Sequence, residues 1–382
     1  MSLRLQNFSA LALFGLFFGV TFSGDYAINS VPVFYVLFFF TALLRWIHKI
    51  PFTISEVFGQ FFLSGLFLVL MIANSDDVSF YYNGFFFAVL YINVLPVIPF
   101  LISRYGVSSM SAIALVALGF YGLWGLFSGS PRVSLVFGPN VYYRILGVLL
   151  FVFFVSNFWS RKHSYAPLII LFFGVLSLMA TGSRGAFLII LFLFFVVGVK
   201  YFSDQESRRW IGPLWLILFI APTVFYIYWN LISLLFWRLA YFSLENASLA
   251  TRISFIEGGK EFISGASLVD LLFGLGSDNS VFNFYPHNVV IEFAVYHGAL
   301  GLFPVMVSLI FASAFLAKPV NWTNNIKIMF LVLSPIFIGS QFSGSLLESF
   351  PIASLGGFLI GKGILIAIAT VLDRKYSVEP SR

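Results

Sequence analysis

Residues 285–301 read YPHNVVIEFAVYHGALG. Pro286 comes just before His287, and after Asn288 the chain is mostly apolar as far as residue 316. Proline belongs in the first turn of a helix rather than its interior. A helix is therefore expected to open at His287 and to carry Gly298 and Gly301. A helix needs about 20 mostly apolar residues to cross a bilayer, and this stretch exceeds that. It reads as a membrane span with a histidine at its mouth.

The rest of the chain has the same character. Of 382 residues, 60% are hydrophobic and 9% charged, with a mean hydropathy of +0.98. Soluble domains carry about 25% charged residues. The composition is that of a polytopic membrane protein, expected as one integral membrane domain over residues 1–382. Phenylalanine alone supplies 51 residues, which suits lipid-facing and interfacial surfaces. The absence of cysteine excludes a disulfide, a thiolate nucleophile and a cysteine metal site. Arg4 followed by the apolar run 11–22 has the form of a signal peptide. The site after it is a weak cleavage signal, and a retained first span is expected.

Twelve spans are expected, at roughly 7–23, 27–44, 53–72, 83–102, 107–127, 144–159, 166–181, 185–201, 211–229, 287–316, 326–344 and 350–372. With both termini in the cytoplasm, the inner connections hold fourteen Lys and Arg residues and the outer ones six. The outer six are Arg132, Arg144, Arg184, Arg238, Arg252 and Lys260. The positive-inside rule favours this orientation. It also explains the net charge of +6 without nucleic acid, which is not expected as a partner.

The outer connections are unequal. Thr181-Gly182-Ser183-Arg184-Gly185 is a tight hairpin between two spans. Residues 230–286 form a long outer loop, with an interfacial amphipathic helix expected over 231–242. A second helix, capped by Ser248 or Thr251, is expected to run to about Ile263 and to end at Gly265. Phe273-Gly274-Leu275-Gly276-Ser277 reads as a turn-rich loop leading to Pro286.

Three polar islands thus face one side: the hairpin at Arg184, the segment around Arg252, and His287 with Asn288. They are expected to form one site. Arginine grips phosphate through two parallel hydrogen bonds, and Gly185 lets a ligand come close to the backbone. An interfacial arginine touching lipid headgroups is the plain alternative for Arg184. For Arg252 it is a local ion pair with Glu257 or Glu261. A helix N-terminus draws anions and disfavours a charged imidazole, so His287 suits a general base. A helix cap is the plain alternative there. His297, deeper in the span, reads as structural.

Two rival constellations remain. Asp25, Asp76 and Asp77 lie in outer loops, and the last two could hold a divalent cation through oxygen ligands. Ordinary solvated loop acids have the same pattern. A transporter would instead bury charges near the midplane, and Glu56, Glu292 and Lys362 lie inside spans. Lys362 sits among Gly356, Gly357, Gly361 and Gly363, where close helix packing is expected.

The islands resemble the bacterial O-antigen ligase and O-antigen polymerase family. The family's ligases carry a histidine, then Asn, Ser or Gln, nine residues, Gly, two residues, and a Gly, Thr or Tyr. Here His287, Asn288, Gly298 and Gly301 have that spacing. Ser183-Arg184-Gly185 is similar to the family's motif between two spans. Arg252 with Phe273-Gly274-Leu275-Gly276 is similar to its loop arginine and turn. Arg132 with Phe137-Gly138-Pro139-Asn140 is similar to a weaker pattern in an earlier outer loop. The motifs cover residues 130–310; the first hundred residues match only as hydrophobic helices.

The resemblance implies an all-α fold of the membrane glycosyltransferase C type, with about twelve transmembrane helices and a long helical periplasmic loop before His287. It implies a multi-pass protein of the bacterial inner membrane whose site faces the periplasm. The implied activity transfers a glycan from undecaprenyl pyrophosphate to an acceptor sugar. The acceptor is lipid A–core for a ligase and another lipid-linked repeat unit for a polymerase. The histidine spacing leans to ligase, while the Phe-rich composition pulls towards polymerase. A glycolipid flippase or exporter is the reading from another class. Arg184 and Arg252 would hold the donor pyrophosphate, and His287 would assist the acceptor hydroxyl or bind the donor. Asn288, Ser183, Gly185, Arg132, Asn140, Gly274 and Gly276 are the candidate substrate-binding residues. No metal or cofactor is expected, and transfer would invert the anomeric carbon. Substrates and membrane lipids are the expected partners.

Overall fold

A computed structural model describes residues 30–74, 92–105, 108–127, 138–159, 166–181, 183–203, 247–276, 288–317, 324–343 and 346–377. The spans expected at 7–23 and 211–229 and the amphipathic helix at 231–242 lie outside these residues. So do Arg132, Gly182, His287 and the aspartates at 25, 76 and 77.

Among the described residues all regular structure is helical. The helices are α1 (Ser30–His48), α2 (Ile54–Ala73), α3 (Val97–Tyr105), α4 (Ser108–Phe127), α5 (Gly138–Phe154, continued by a π-helical turn Val155–Trp159), α6 (Ala166–Ala180) and α7 (Arg184–Ser203). They are followed by α8 (Ala247–Gly265), α9 (Leu268–Phe273), α10 (Val289–Ala317), α11 (Asn324–Ser343) and α12 (Leu346–Ser377). Among the described residues, three apolar stretches are long enough to cross a membrane: Ile54–Ala73, Val290–Ser313 and Ile352–Ala369. Large apolar side chains such as Phe61, Ile72, Trp124 and Ile366 are exposed along the helices. In water such surface would drive association; against lipid it costs nothing. The chain is a membrane protein.

The helices form two compact units. Unit 1 takes Met1–Asp25, Phe100–Ile253 and Phe330–Gly344; unit 2 takes Tyr26–Pro99, Ser254–Met329 and Ser345–Arg382.

In unit 1, α4, α5, α6 and α7 pack side by side. Small residues allow the close approach, as expected where lipid supplies no hydrophobic drive between helices. A Cβ added at Gly119 or Gly122 of α4 would meet Ser177 of α6 or the Tyr142 hydroxyl of α5 at 3.0–3.2 Å. Tyr142 Oη donates to Leu118 O at 2.6 Å, tying α5 to α4.

In unit 2, α2 and α12 run antiparallel. Gly59 faces Gly357, and Gly361 faces Ser55, with backbone nearly against backbone. Gly356 lies against Pro304 of α10, and Ser308 Oγ donates to Ile352 O at 2.8 Å. Three of the four glycines around Lys362 therefore mark helix contacts. Gly363 has nothing near it.

Two boundaries differ from expectation. The span expected to begin at residue 144 belongs to a helix that begins at Gly138. Pro139 is tolerated in its first turn because the N–H it lacks has no helical partner there. Arg144 is thus about 9 Å inside α5 at 1.5 Å per residue and is buried, not in an outer loop. The span expected over 83–102 has a turn at residues 95–96, beyond which α3 continues to Tyr105.

The sequence also gave no sign of a buried polar cluster in unit 2. Arg45 and Glu56 are 3% and 0% exposed and form an ion pair at 2.6 Å. Arg45 also donates to Asn93 O at 2.9 Å and Pro51 O at 3.0 Å. Its guanidinium lies 4.0 Å from the Phe52 ring centre, and Gln60 Nε2 donates to Asn93 Oδ1 at 3.0 Å. Glu56 is thus a first-turn acid of α2, capped by Thr53, that holds the α1–α2 corner. Removing one partner would bury an uncompensated charge, at a cost of about 3–5 kcal/mol. Glu56→Gln is expected to lower the thermal midpoint of the purified protein. The exchange Arg45→Glu with Glu56→Arg is expected to recover part of that loss.

Candidate functional site

The Thr181–Gly185 hairpin joins α6 to α7 in unit 1. Thr181 is buried, and its hydroxyl donates to Leu178 O at 2.7 Å and accepts from Ser183 N at 3.3 Å. Ser183 O accepts the first helical hydrogen bond, from Phe187 N at 3.2 Å. Ser183 therefore occupies the N-cap position of α7 and Arg184 the first helical position. The half-buried guanidinium-bearing residue stands where a helix end already favours negative charge.

Gly185 is pressed against α5. A Cβ there would lie 2.5 Å from the Tyr143 hydroxyl. Tyr143 is fully buried and donates to Gly339 O in α11 at 3.1 Å. Gly339 in turn makes room for Arg144: an added Cβ would meet the Arg144 Cγ and Nε at 2.8 and 2.9 Å. The start of α5, the start of α7 and the end of α11 thus share one end of unit 1. Tyr143 was not singled out by sequence reasoning, and Arg144 was read only as an outer cation. The available signal was an arginine within the apolar run 141–154.

Arg252 lies in the first turns of α8, and Asn140 in the first turn of α5. The helix expected from residue 248 or 251 to Ile263 runs from Ala247 to Gly265.

In unit 2 the two glycine patterns form one joint. α9 is opened by a capping box, in which Ser267 and Asp270 bond to each other's backbone N–H, and is ended by Gly274. The chain then turns through Gly274 at φ 80° and Gly276 at φ 70°. Leu275 N donates to Val295 O at 2.9 Å and Gly276 N to Tyr296 O at 3.1 Å. Both carbonyls belong to the last turn of α10 before it kinks at Gly298, where φ is 60° and ψ −161°. A Cβ on Gly298 would meet Leu272 O at 2.5 Å, and one on Gly274 would meet Tyr296 O at 2.3 Å. Gly301 has a separate task. Its missing side chain leaves space for the buried His297, whose Cβ lies 2.0 Å from where a Cβ of residue 301 would be. His297 packs on Phe293 with ring centres 5.3 Å apart, in keeping with its structural reading.

The joint also touches α2. Asn74, at the end of α2, donates to Phe273 O at 3.4 Å. The 20 residues of α2 span about 30 Å, as do the residues from Gly298 to Ala317. From the kink, the first half of α10 extends about 15 Å to Asn288. There Asn288 Oδ1 accepts from Val290 N and Ile291 N at 3.0 and 3.1 Å, capping α10. Its neighbour His287 lies outside the described residues.

The residues of the rival transporter reading have local roles. Glu56 is paired with Arg45. Glu292 is the first-turn acid of α10, where it complements the helix dipole. Lys362 Nζ lies 5.5 Å from the Phe358 ring centre.

Arg184, Ser183, Gly185, Asn140 and Arg252 fall in unit 1, and Gly274, Gly276 and Asn288 in unit 2. No protein-family model, curated protein or solved structure matches the chain.

Proposed function

We propose that this protein transfers a glycan from undecaprenyl pyrophosphate to an acceptor sugar at the periplasmic face of a bacterial inner membrane, as an O-antigen ligase acting on lipid A–core. The observation that carries this reading is the joint of Gly274 and Gly298. Two motifs that resemble that family's, 24 residues apart in the chain, meet there backbone to backbone. One of them leads through α10 to Asn288 and His287. Polymerisation of lipid-linked repeat units uses the same donor grip and differs only in its acceptor.

The chemistry asks little of the protein beyond placement and charge. Undecaprenyl pyrophosphate is a good leaving group, so catalysis consists of offsetting its developing charge and aligning the acceptor. Arg184 at a helix N-terminus supplies the first, with Arg252 as its partner from α8. His287 takes the acceptor proton as that oxygen attacks the anomeric carbon in line. The bond to pyrophosphate breaks, and configuration inverts.

A single-turnover assay in proteoliposomes tests the proton step and the metal-free mechanism together. His287→Ala is expected to slow transfer by about 10²–10⁴-fold, and EDTA to leave the wild-type rate unchanged. Loss of activity in EDTA with recovery in Mg²⁺ would shift the chemistry to the aspartates.

A further inference from the structure

We infer that the segment from Gly265 to Gly276, expected from its sequence as part of an outer loop, dips into the bilayer, with the exposed apolar face of α9 lodged among the acyl chains of one leaflet. The inference does not depend on the reaction proposed above.

Leu268, Val269 and Leu272 share one face of α9 and are 74%, 62% and 39% exposed. Ile263, near the end of α8, is 55% exposed. An exposed apolar patch marks a contact with protein or membrane, and two contacts decide for the membrane. At its end α9 meets the apolar stretch Ile54–Ala73, where Phe273 O accepts from Asn74 Nδ2 at 3.4 Å. Directly beyond, Leu275 N and Gly276 N bond to Val295 O and Tyr296 O, which lie within the apolar stretch Val290–Ser313. α9 is thus tied to two helices of membrane-crossing length, to one at its end and to the other within its apolar part. The exposed apolar stripe of α2, which includes Phe61, Leu68 and Ile72, runs up to that same end.

The charges are ordered along α10 as an interface requires. A Cβ added at Gly259 of α8 would lie 3.3 Å from Ile291 Cγ2, next to the start of the apolar stretch. Glu257, Lys260 and Glu261, around this contact, are exposed. From Ile291 to Tyr296 the chain advances about 7.5 Å along α10. Charged side chains therefore stand at the mouth of the stretch, and the joint that holds α9 lies further in. Interfacial helices sink their apolar face about 5–10 Å into the boundary of headgroups and acyl chains.

The backbone is prepared for the loss of water, which chain outside a regular helix survives only where its polar groups are satisfied. Ala266 N donates to Phe262 O at 2.8 Å, Ser267 N to Asp270 Oδ2 at 3.1 Å and Gly274 N to Asp270 O at 2.8 Å. With Leu275 and Gly276 bonded to α10, the N–H groups flanking α9 on both sides are taken. The Ser267 hydroxyl also donates to the Asp270 carboxylate, at 2.7 Å.

The chain has no cysteine, so single nitroxide labels can be placed without further change. Leu268→Cys, Val269→Cys and Glu261→Cys would be labelled in the full-length protein in vesicles of phosphatidylethanolamine and phosphatidylglycerol, with Phe61→Cys as the lipid-facing reference. Collision rates with oxygen, which concentrates in lipid, and with a nickel chelate, which stays in water, are then compared. The oxygen-to-nickel ratio at 268 and 269 is expected to match that at 61 and to exceed that at 261. A ratio at 268 and 269 equal to that at 261 would leave α9 in water and overturn the inference. Low collision with both reagents would mean that protein covers α9, which overturns it as well. Should the labelled variants fail to fold, wild-type protein in vesicles carrying a phospholipid with a photoactivatable acyl chain serves instead. Adducts on residues 268–272 support the inference, and adducts on the α2 stripe without any on α9 sink it.

Discussion

Gly298→Ala is expected to unfold the joint between α9 and α10, with loss of a monodisperse protein in detergent. Two effects add. The backbone at residue 298 has φ 60° and ψ −161°, a region open to glycine and costing other residues about 1–3 kcal/mol. The added methyl would also fall 2.5 Å from Leu272 O. A main-chain oxygen cannot rotate away as a side chain can, so one backbone must move. Such movement would break the hydrogen bonds from Leu275 and Gly276 to α10. A total of about 3 kcal/mol or more is expected. Gly274→Ala should behave alike, since its methyl would meet Tyr296 O from the other side. The two losses should not add in the double variant, because each breaks the same contact. Full additivity would mean that the two glycines act separately.

Arg184→Ala is expected to lower the transfer rate by about 10²–10³-fold, the cost of removing one preorganised group from a developing negative charge. Arg184→Lys keeps the charge but loses the fork, so it should recover only part of the rate. Folding should survive both changes, because Arg184 is half-buried at a helix start rather than enclosed. Initial rates in proteoliposomes, alongside the elution profile of each variant, measure this. An unchanged rate in Arg184→Ala would remove the hairpin from the site.

Helix bounds were the most legible feature of the sequence. The stretches expected at 53–72, 107–127 and 166–181 are helices at 54–73, 108–127 and 166–180. The reason is physical, since an apolar run away from water satisfies its backbone polar groups within itself, as a helix. The start of α5 was misread because a charge was taken to mark water. Arg144 is instead buried two turns inside the helix, while Pro139 marks where the helix opens. The Arg45–Glu56 pair was equally hidden. Glu56 alone fits its reading as an acid in a span, and Arg45 in the last turn of α1 has no local mark of a partner. Only the fold of the α1–α2 corner shows that they meet.

For the candidate site, spacing identified Gly274, Gly298 and Gly301 but not their purposes. Two of them allow backbone to lie on backbone, and the third makes room for His297. Contacts between segments 24 residues apart have no local signature, so the motif can be seen in the sequence while the joint cannot. Tyr143 and Gly339 escaped notice for the same reason. They come from α5 and α11, far apart in the chain, and the Tyr143 hydroxyl connects them to Gly185.

Reconstitution with two acceptors tests the central claim most directly. Purified protein would receive a glycan linked to undecaprenyl pyrophosphate, with lipid A–core in one reaction and only further lipid-linked glycan in another. Glycan on lipid A–core, absent with Arg184→Ala, is the result expected of a ligase. A ladder of longer lipid-linked chains without lipid A–core would make the protein a polymerase. No transfer in either reaction, with the substrates shown to be native, would contradict the transferase reading and favour an exporter.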